Sequence, residues 1–220
     1  MIEVREHEWP SAEAEAVAVQ ERLSPLVRFD GEPAEVRTAA GLDVAYDESS
    51  GELVAAVVVL DVPALSVVDS AVTRGRAEFP YVPVLFAFRE APPLLEALQE
   101  LTIAPDVLVC DGQGIAHPRR FGLACHLGVL TDLPSIGVAK TPMGRFDPPA
   151  EPRGSWTPIE MDGDEVGRAI RTRPGVKPVF VSVGHRYTLD NACDLVLELA
   201  PKYRLPETTR TADHLVRTTR

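Results

Sequence analysis

Cysteine is scarce in this chain: Cys110, Cys125 and Cys193 are the only three in 220 residues. An odd count closes no disulfide framework, and no pair has the spacing of a zinc site. Each lies among apolar residues, so all three are expected to be reduced core thiols of a cytoplasmic protein. Long apolar runs are missing too. The longest, LVAAVVVLDV from Leu53, is strand-sized and far short of a membrane span, so no membrane partner is expected. The opening MIEVREHEWP is charged and leads into a helical pattern, which argues against a signal peptide. Positive charge is in deficit: 22 Lys and Arg stand against 33 Asp and Glu, for a net charge of −11. A surface that is one broad nucleic-acid-binding patch is thereby excluded. A local groove is not, because charge is uneven along the chain. Glutamates crowd the N-terminal quarter, whereas Arg119, Arg120, Lys140, Arg145, Arg171, Arg173, Lys177 and Arg186 gather around glycine- and proline-bearing loops.

What remains is ordinary for a globular domain: 45% hydrophobic residues and 25% charged ones. No repeat, low-complexity tract or linker divides the chain. We therefore expect a single domain over 1–220, with a helical N-terminal segment at 1–30 and a C-terminal tail at 205–220. Ser11 is placed to cap a first helix ending near Leu23, with Pro25 stopping it and Ala14, not an acid, at its third position. Alternation of Leu42, Val44 and Tyr46 with Asp43 and Ala45 marks a first strand. Residues 53–62 form a second, apolar enough to be buried on both faces, and residues 65–74 a third. Short turns make these three an antiparallel meander. Residues 84–90 read as a short helix, and Pro92-Pro93 as the first turn of another. Residues 107–111 are the fourth strand and 121–130 a buried helix. A fifth strand covers 135–139, a hairpin region 144–178, a short strand 180–184 and a helix 189–199. Three antiparallel strands, a helix, then strands alternating with helices is the order of a ribonuclease H-like α/β fold. It is a mixed sheet, three antiparallel strands then parallel strands, flanked by helices, with strand four parallel to strand one.

In that arrangement Asp43 and Asp111 lie on adjacent strands. Asp43 is an acid within an apolar strand, a costly placement unless it has a partner. The run VLVCDGQGIAHPRRF carries Asp111 from a strand end into a loop with Gly112 and Gly114, where α/β proteins place reactive groups. Taken alone, Asp111 could equally be a loop cap. Two carboxylates that close repel, and a divalent cation relieves them; an all-oxygen set suits Mg²⁺. Glu90, Lys140 and His117 are further candidates. Glu90 could be a helix-terminal acid, Lys140 a phosphate-neutralising cation, and His117 a proton donor or phosphate contact.

Six segments together resemble the bacterial endonuclease V family: GLDVAYD at 41–47, PYVPVLFAFRE at 80–90, VLVCDGQGIAHPRRFGLACHLGVL at 107–130, SIGVAK at 135–140, VSVGHR at 181–186 and RLPETTRTAD at 204–213. The resemblance implies a deoxyinosine-specific DNA repair endonuclease that hydrolyses the second phosphodiester bond 3′ to the lesion, leaving 3′-hydroxyl and 5′-phosphate ends. It implies direct metal ligation by Asp43 and Asp111, with Glu90 completing the carboxylate set and Asp213, or its neighbour His214, near the metal. Mg²⁺ is the implied cofactor, with Mn²⁺ as a substitute. Lys140 and His117 match catalytic or phosphate-contacting positions. Tyr81, within Pro80, Val82 and Pro83, matches a wedge that fills the gap left by a flipped base. Gly112 and Gly137 match glycines lining the base pocket, and Arg119 joins the DNA contacts. Two positions depart from the family: Val84 stands where glycine is common after PYVP, and Thr208 where the tail motif usually has proline. The expected partner is damaged DNA bound by a monomer. The rivals are an inosine-directed ribonuclease or broader structure-selective nuclease on the same fold, and a non-catalytic inosine-binding protein.

Overall fold

Gly51, at φ +73°, turns the chain into its most apolar segment, a strand buried from Leu53 to Leu60. The computed structural model describes residues 2–31, 33–47 and 50–219. In chain order its strands are β1 (Thr38–Tyr46), β2 (Glu52–Asp61), β3 (Ser66–Arg76), β4 (Val107–Cys110) and β5 (Ser135–Ala139). They are followed by β6 (Trp156–Met161), β7 (Asp164–Ile170) and β8 (Val179–His185). The helices are α1 (Glu13–Leu23), α2 (Ala87–Glu100), α3 (Leu123–Thr131), α4 (Leu189–Leu199) and α5 (Glu207–Thr219). All eight strands join one sheet in the order β3-β2-β1-β4-β5-β8-β7-β6.

The meander β1-β2-β3 is antiparallel, and β4 lies parallel to both β1 and β5, as expected of a ribonuclease H-like sheet. Beyond β5 the expectation of parallel strands gives way: β8 is antiparallel to β5, and β7 and β6 continue antiparallel. The connections dictate this. Asp162 and Gly163, both at positive φ (56° and 90°), make the two-residue turn that closes a hairpin. The segment between Ile170 and Val179 is too short for a parallel crossover.

Period-two alternation sorts the side chains onto two faces. Ala55, Val57 and Val59 of β2 pack with Leu42, Leu108 and the leucines of α2 and α3. The intervening Val54 and Ala56 meet Val216 of α5, and Val58 and Leu60 meet Ala212. On that same second face, Val109, Val138 and Val181 pack with Val196 and Leu199 of α4. Leu53 to Leu60 are thus buried throughout because helices cover both sides.

Three local expectations change. The first helix is capped at Ala12 instead of Ser11, which puts Glu15 at the third position. Its carboxylate accepts from the amides of Ser11 (3.0 Å) and Ala12 (3.3 Å). One helix, α2, replaces the expected pair, with Pro92 and Pro93 inside it. Those prolines remove the donors for the Phe88 and Arg89 carbonyls, and burial of Leu94, Leu95 and Leu98 on the core offsets the loss. Finally, the expected tail is the thirteen-residue helix α5, laid across β1 and β2. Gly41 permits this contact: a Cβ there would sit 2.0 Å from the Thr208 carbonyl oxygen. Among the described residues no helix is long and apolar enough to cross a membrane, and all three cysteines are buried free thiols.

Candidate active site

Leu42 of β1 pairs in register with Cys110 of β4, so the next residues, Asp43 and Asp111, leave adjacent parallel strands side by side. Alternation puts Asp43 on the face of Gly41, Asp111 on that of Val109, and Lys140 on that of Val138. All three therefore face the α4/α5 side of neighbouring strands, Asp43 within β1 and Asp111 and Lys140 just past the carboxyl ends of β4 and β5. The Lys140 ammonium is in direct contact with Oδ2 of Asp111. Burial alone would pull Lys140 down, but that hydrogen bond and the charges of Asp111, Asp43 and Asp213 hold its pKa above the ordinary value.

Glu90 approaches from the opposite face, on the first turns of α2. Burial, then the charges of Asp43 and Asp111, push its pKa up to about 8. Asp43 is raised to about 6 by burial and by Asp111 and Asp213, with Lys140 opposing. Asp213 of α5 therefore belongs to the same electrostatic cluster, and its carboxylate also accepts from Arg217 at 2.9 Å. The neighbouring His214 is exposed. Four carboxylates thus share one field that Lys140, Arg217 on Asp213 and Arg89 near Glu90 answer only in part, so protons or a further cation are favoured there.

Among the described residues no three His, Cys, Asp or Glu side chains converge tightly enough to chelate an ion by themselves. Two adjacent carboxylates with two more at outer distance fit Mg²⁺ nonetheless, because Mg²⁺ keeps several waters and uses one or two carboxylates plus substrate phosphate. The donor set is entirely oxygen. Asp43 and Asp111 are the residues that could hold the ion directly, and Glu90 and Asp213 could do so through water.

The loop after Asp111 is fixed by its backbone. The Gly114 amide donates to Ser182 Oγ at 2.8 Å, and Gln113 Nε2 donates to the Thr141 carbonyl at 2.9 Å. Gln113 so ties the loop after β4 to the loop after β5. Gly137, expected in the base pocket, lies beneath this loop: a Cβ there would be 2.5 Å from the Gly114 nitrogen and 2.6 Å from the Gly112 oxygen. Its lack of a side chain is accounted for by that contact. A Cβ on Gly112 would meet the Phe86 ring at 3.3 Å. The 80–86 loop and the 111–114 loop therefore touch.

His117 is not free for proton transfer in this arrangement. It is buried, its Nε2 donates to the Val84 carbonyl at 2.8 Å, and its Nδ1 accepts from the Arg119 amide at 3.2 Å. Burial lowers its pKa to about 4, so the ring is neutral at pH 7. The Arg119 guanidinium is likewise engaged, with Gln20 Oε1 and, at 3.5 Å, the Val84 oxygen. Tyr81 projects into solvent with 74% of its surface exposed.

Three residues of this neighbourhood were given no role by the sequence. Tyr46 and Arg204 lie within the segments 41–47 and 204–213, and Gln20 lies outside every such segment. Arg204 donates to the carbonyls of Lys140 (3.0 Å), Lys177 (3.0 Å) and Pro178 (2.8 Å), bracing the end of β5. Gln20 left its own trace, as the one polar residue on the buried stripe Ala16, Val19, Leu23 of α1.

The family model for Endonuclease V matches residues 21–214. The chain belongs to the endonuclease V family. The endonuclease V of Streptomyces avermitilis is 57% identical over 212 residues, covering 95% of this chain and 93% of the relative. A crystal structure of the enzyme from that organism superposes with a TM-score of 0.93 at 54% identity, covering 99% and 97% of the two chains. Endonuclease V of Ciona intestinalis is 28% identical with a TM-score of 0.81, covering 94% of this chain and 96% of that one. Its crystal structure holds a 24-mer DNA containing an inosine followed by a ribo-adenosine. The fold is therefore that of endonuclease V, a ribonuclease H-like nuclease, and the chain is a nuclease. Against the family's habitual glycine, Val84 adopts φ +61°. The Leu85 amide returns to the Val82 carbonyl at 3.0 Å, so Pro83 and Val84 are the central residues of a turn whose third position demands positive φ. A β-branched residue there costs about 1–2 kcal/mol.

Proposed function

We propose that this chain is a Mg²⁺-dependent DNA repair endonuclease that nicks deoxyinosine-containing DNA at the second phosphodiester bond 3′ to the lesion, leaving 3′-hydroxyl and 5′-phosphate ends. The observation that carries this reading is the convergence of Asp43 on β1 with Asp111 and Lys140 just past the ends of the adjacent β4 and β5, with Glu90 and Asp213 closing the cluster. The Ciona relative, bound to inosine-containing DNA, supports the choice of lesion. A Mg²⁺ held by Asp43 and Asp111 would supply Lewis-acid polarisation of the scissile phosphate and a more acidic water.

The chain's own residues do the rest. Lys140, drawn to Asp111, is placed to neutralise charge building on the phosphate oxygens. Glu90 and Asp213 hold water molecules at the rim of the site. Tyr81 and its neighbours Pro80, Val82 and Pro83 meet the distorted duplex, where an aromatic can fill the space vacated by an extruded base. Gly112, on the loop touching Phe86, brings recognition next to the carboxylates. The enzyme acts as a cytoplasmic monomer, and Mn²⁺ substitutes for Mg²⁺.

The test is a nicking assay on end-labelled duplex carrying one deoxyinosine, with and without Mg²⁺, mapped to the nucleotide. Cleavage confined to the second bond on the 3′ side and dependent on the ion is expected. Equal cutting of the undamaged duplex, or a cut elsewhere, overturns the reading. The ribo-adenosine beside the inosine in the Ciona complex favours a second reading, action on inosine in RNA, so an inosine-RNA strand belongs in the same assay.

A further inference from the structure

The buried amide of Gln20 lies on α1, whose Ala16, Val19 and Leu23 pack with Phe79 and Leu85, and its hydrogen bonds converge on the turn behind Tyr81. Its Nε2 donates to the Val84 carbonyl at 3.2 Å and to the Phe121 carbonyl at 3.0 Å, while its Oε1 accepts from Arg119. His117 Nε2 and Arg119 Nη2 donate to the same Val84 oxygen. Three side-chain donors on one carbonyl is unusual, and the residue they hold is the strained one, at φ +61°. A valine released from those donors returns to negative φ, which re-aims its carbonyl and re-sets the turn that ends the Pro80–Pro83 loop. A glycine would need no such restraint.

We propose that Gln20 is a positioning residue for lesion recognition: by clamping Val84 in its left-handed conformation it fixes the loop that presents Tyr81. The inference rests on the reading that this loop engages DNA. Its sharpest consequence is that the clamp matters because residue 84 is valine. Gln20→Glu keeps the shape and the acceptor for Arg119 but abolishes both donations. Gln20→Met removes the polar atoms altogether, and serves if the buried acid impairs folding.

The experiment is a double-mutant cycle of Gln20→Glu (or Gln20→Met) with Val84→Gly. The readouts are kcat and KM on deoxyinosine duplex and hydrogen exchange at the amides of Tyr81, Val82 and Val84 in the free protein. With Val84 present, loss of the Gln20 donors is expected to lower kcat/KM about tenfold and to accelerate exchange at those amides. In the Val84→Gly background the same substitution is expected to cost less than about threefold, with little added exchange. A merely structural Gln20 would lower thermal stability equally in both backgrounds and leave kcat/KM unmoved well below Tm. Equal losses in the two backgrounds, or unchanged exchange in the single variant, overturn the proposal. If the wild-type chain fails to nick deoxyinosine at all, the functional reading falls instead, and the exchange cycle still decides whether Gln20 holds the loop.

Discussion

The Tyr46 hydroxyl donates to Oε1 of Glu90 at 3.4 Å, joining the last residue of β1 to α2 over the end of the carboxylate cluster. Among the described residues it is the one hydrogen-bond donor shown for an acid that burial and two neighbouring aspartates hold at a pKa of about 8. Glu90 therefore binds a proton in the folded protein that it has lost in the unfolded chain, where its pKa is near the ordinary 4.5. A raised carboxylate contributes stability that is complete below the unfolded pKa and is lost as pH climbs through the folded one. For Asp43 that loss runs up to about pH 6, and for Glu90 up to about pH 8.

Glu90→Gln removes the second of these. In the absence of divalent ions its melting temperature, relative to wild type, is expected to rise between pH 5 and pH 8.5, by several degrees in total. Added Mg²⁺ should stabilise the wild type more at pH 8.5 than at pH 5, because it replaces protons in the same cluster. Thermal melts of the two proteins across that range decide the matter. A pH-independent difference would mean that Glu90 is not the proton-binding group.

Much of this site was legible before the structure because sheet geometry is short-ranged. An acid within the Leu42–Tyr46 alternation and another following the Val107–Cys110 run can be placed next to one another once the strand order is known. The remainder depends on contacts that no local pattern encodes. Arg204 reaches Lys140 across 64 positions, and Gln20 reaches Phe121 across 101. The C-terminal helix escaped detection because its sequence, ETTRTADHLVRTT, is polar with three threonines, weak helix formers, among its first five residues; its amphipathic face becomes visible only once β1 and β2 lie under it. Likewise, two adjacent prolines read as a helix start, and only the packing of Leu94 and Leu98 keeps α2 continuous through them.

Asp43→Asn and Asp111→Asn are each expected to reduce nicking of deoxyinosine duplex by more than about a hundredfold, since each removes a carboxylate charge that would hold the ion neutralising the reacting phosphate. Glu90→Gln and Asp213→Asn, acting through water, should cost about 10–100-fold and raise the Mg²⁺ concentration needed for half-maximal rate. The check is a Mg²⁺ titration of single-turnover rates. Near wild-type nicking by either aspartate variant would dismiss the carboxylate mechanism.

Tyr81 has 74% of its surface exposed, so Tyr81→Ala should change stability by no more than about 0.5 kcal/mol. If the ring stacks against the opened duplex, the same change should weaken binding to deoxyinosine DNA by about 5–150-fold, the worth of one base–aromatic stack. Fluorescence anisotropy with a lesion duplex and with its undamaged counterpart separates the two substrates. The loss should fall mainly on the lesion. Equal affinity of variant and wild type for that duplex would remove Tyr81 from recognition.

Thr208 offers a test of how α5 is seated. It is fully buried in the first turn of the helix, its carbonyl faces Gly41 closely enough to exclude any side chain there, and its hydroxyl finds no hydrogen-bond partner among the described residues. The first turn of a helix accepts proline readily, because its amides lack intrahelical acceptors, and proline is what the family usually has at this place. In this chain the threonine leaves a polar atom buried without compensation, at a cost of about 1–3 kcal/mol. Thr208→Val deletes the hydroxyl while keeping the shape, and should raise the melting temperature by roughly 2–10 °C with nicking unchanged. Gly41→Ala should do the opposite. Its Cβ would drive α5 away from β1, lowering stability by about 1–3 kcal/mol and carrying Asp213 out of the carboxylate cluster, so activity falls with it. Differential scanning calorimetry on both variants, with nicking rates taken well below the melting point, separates the seating of the helix from its contribution to the site.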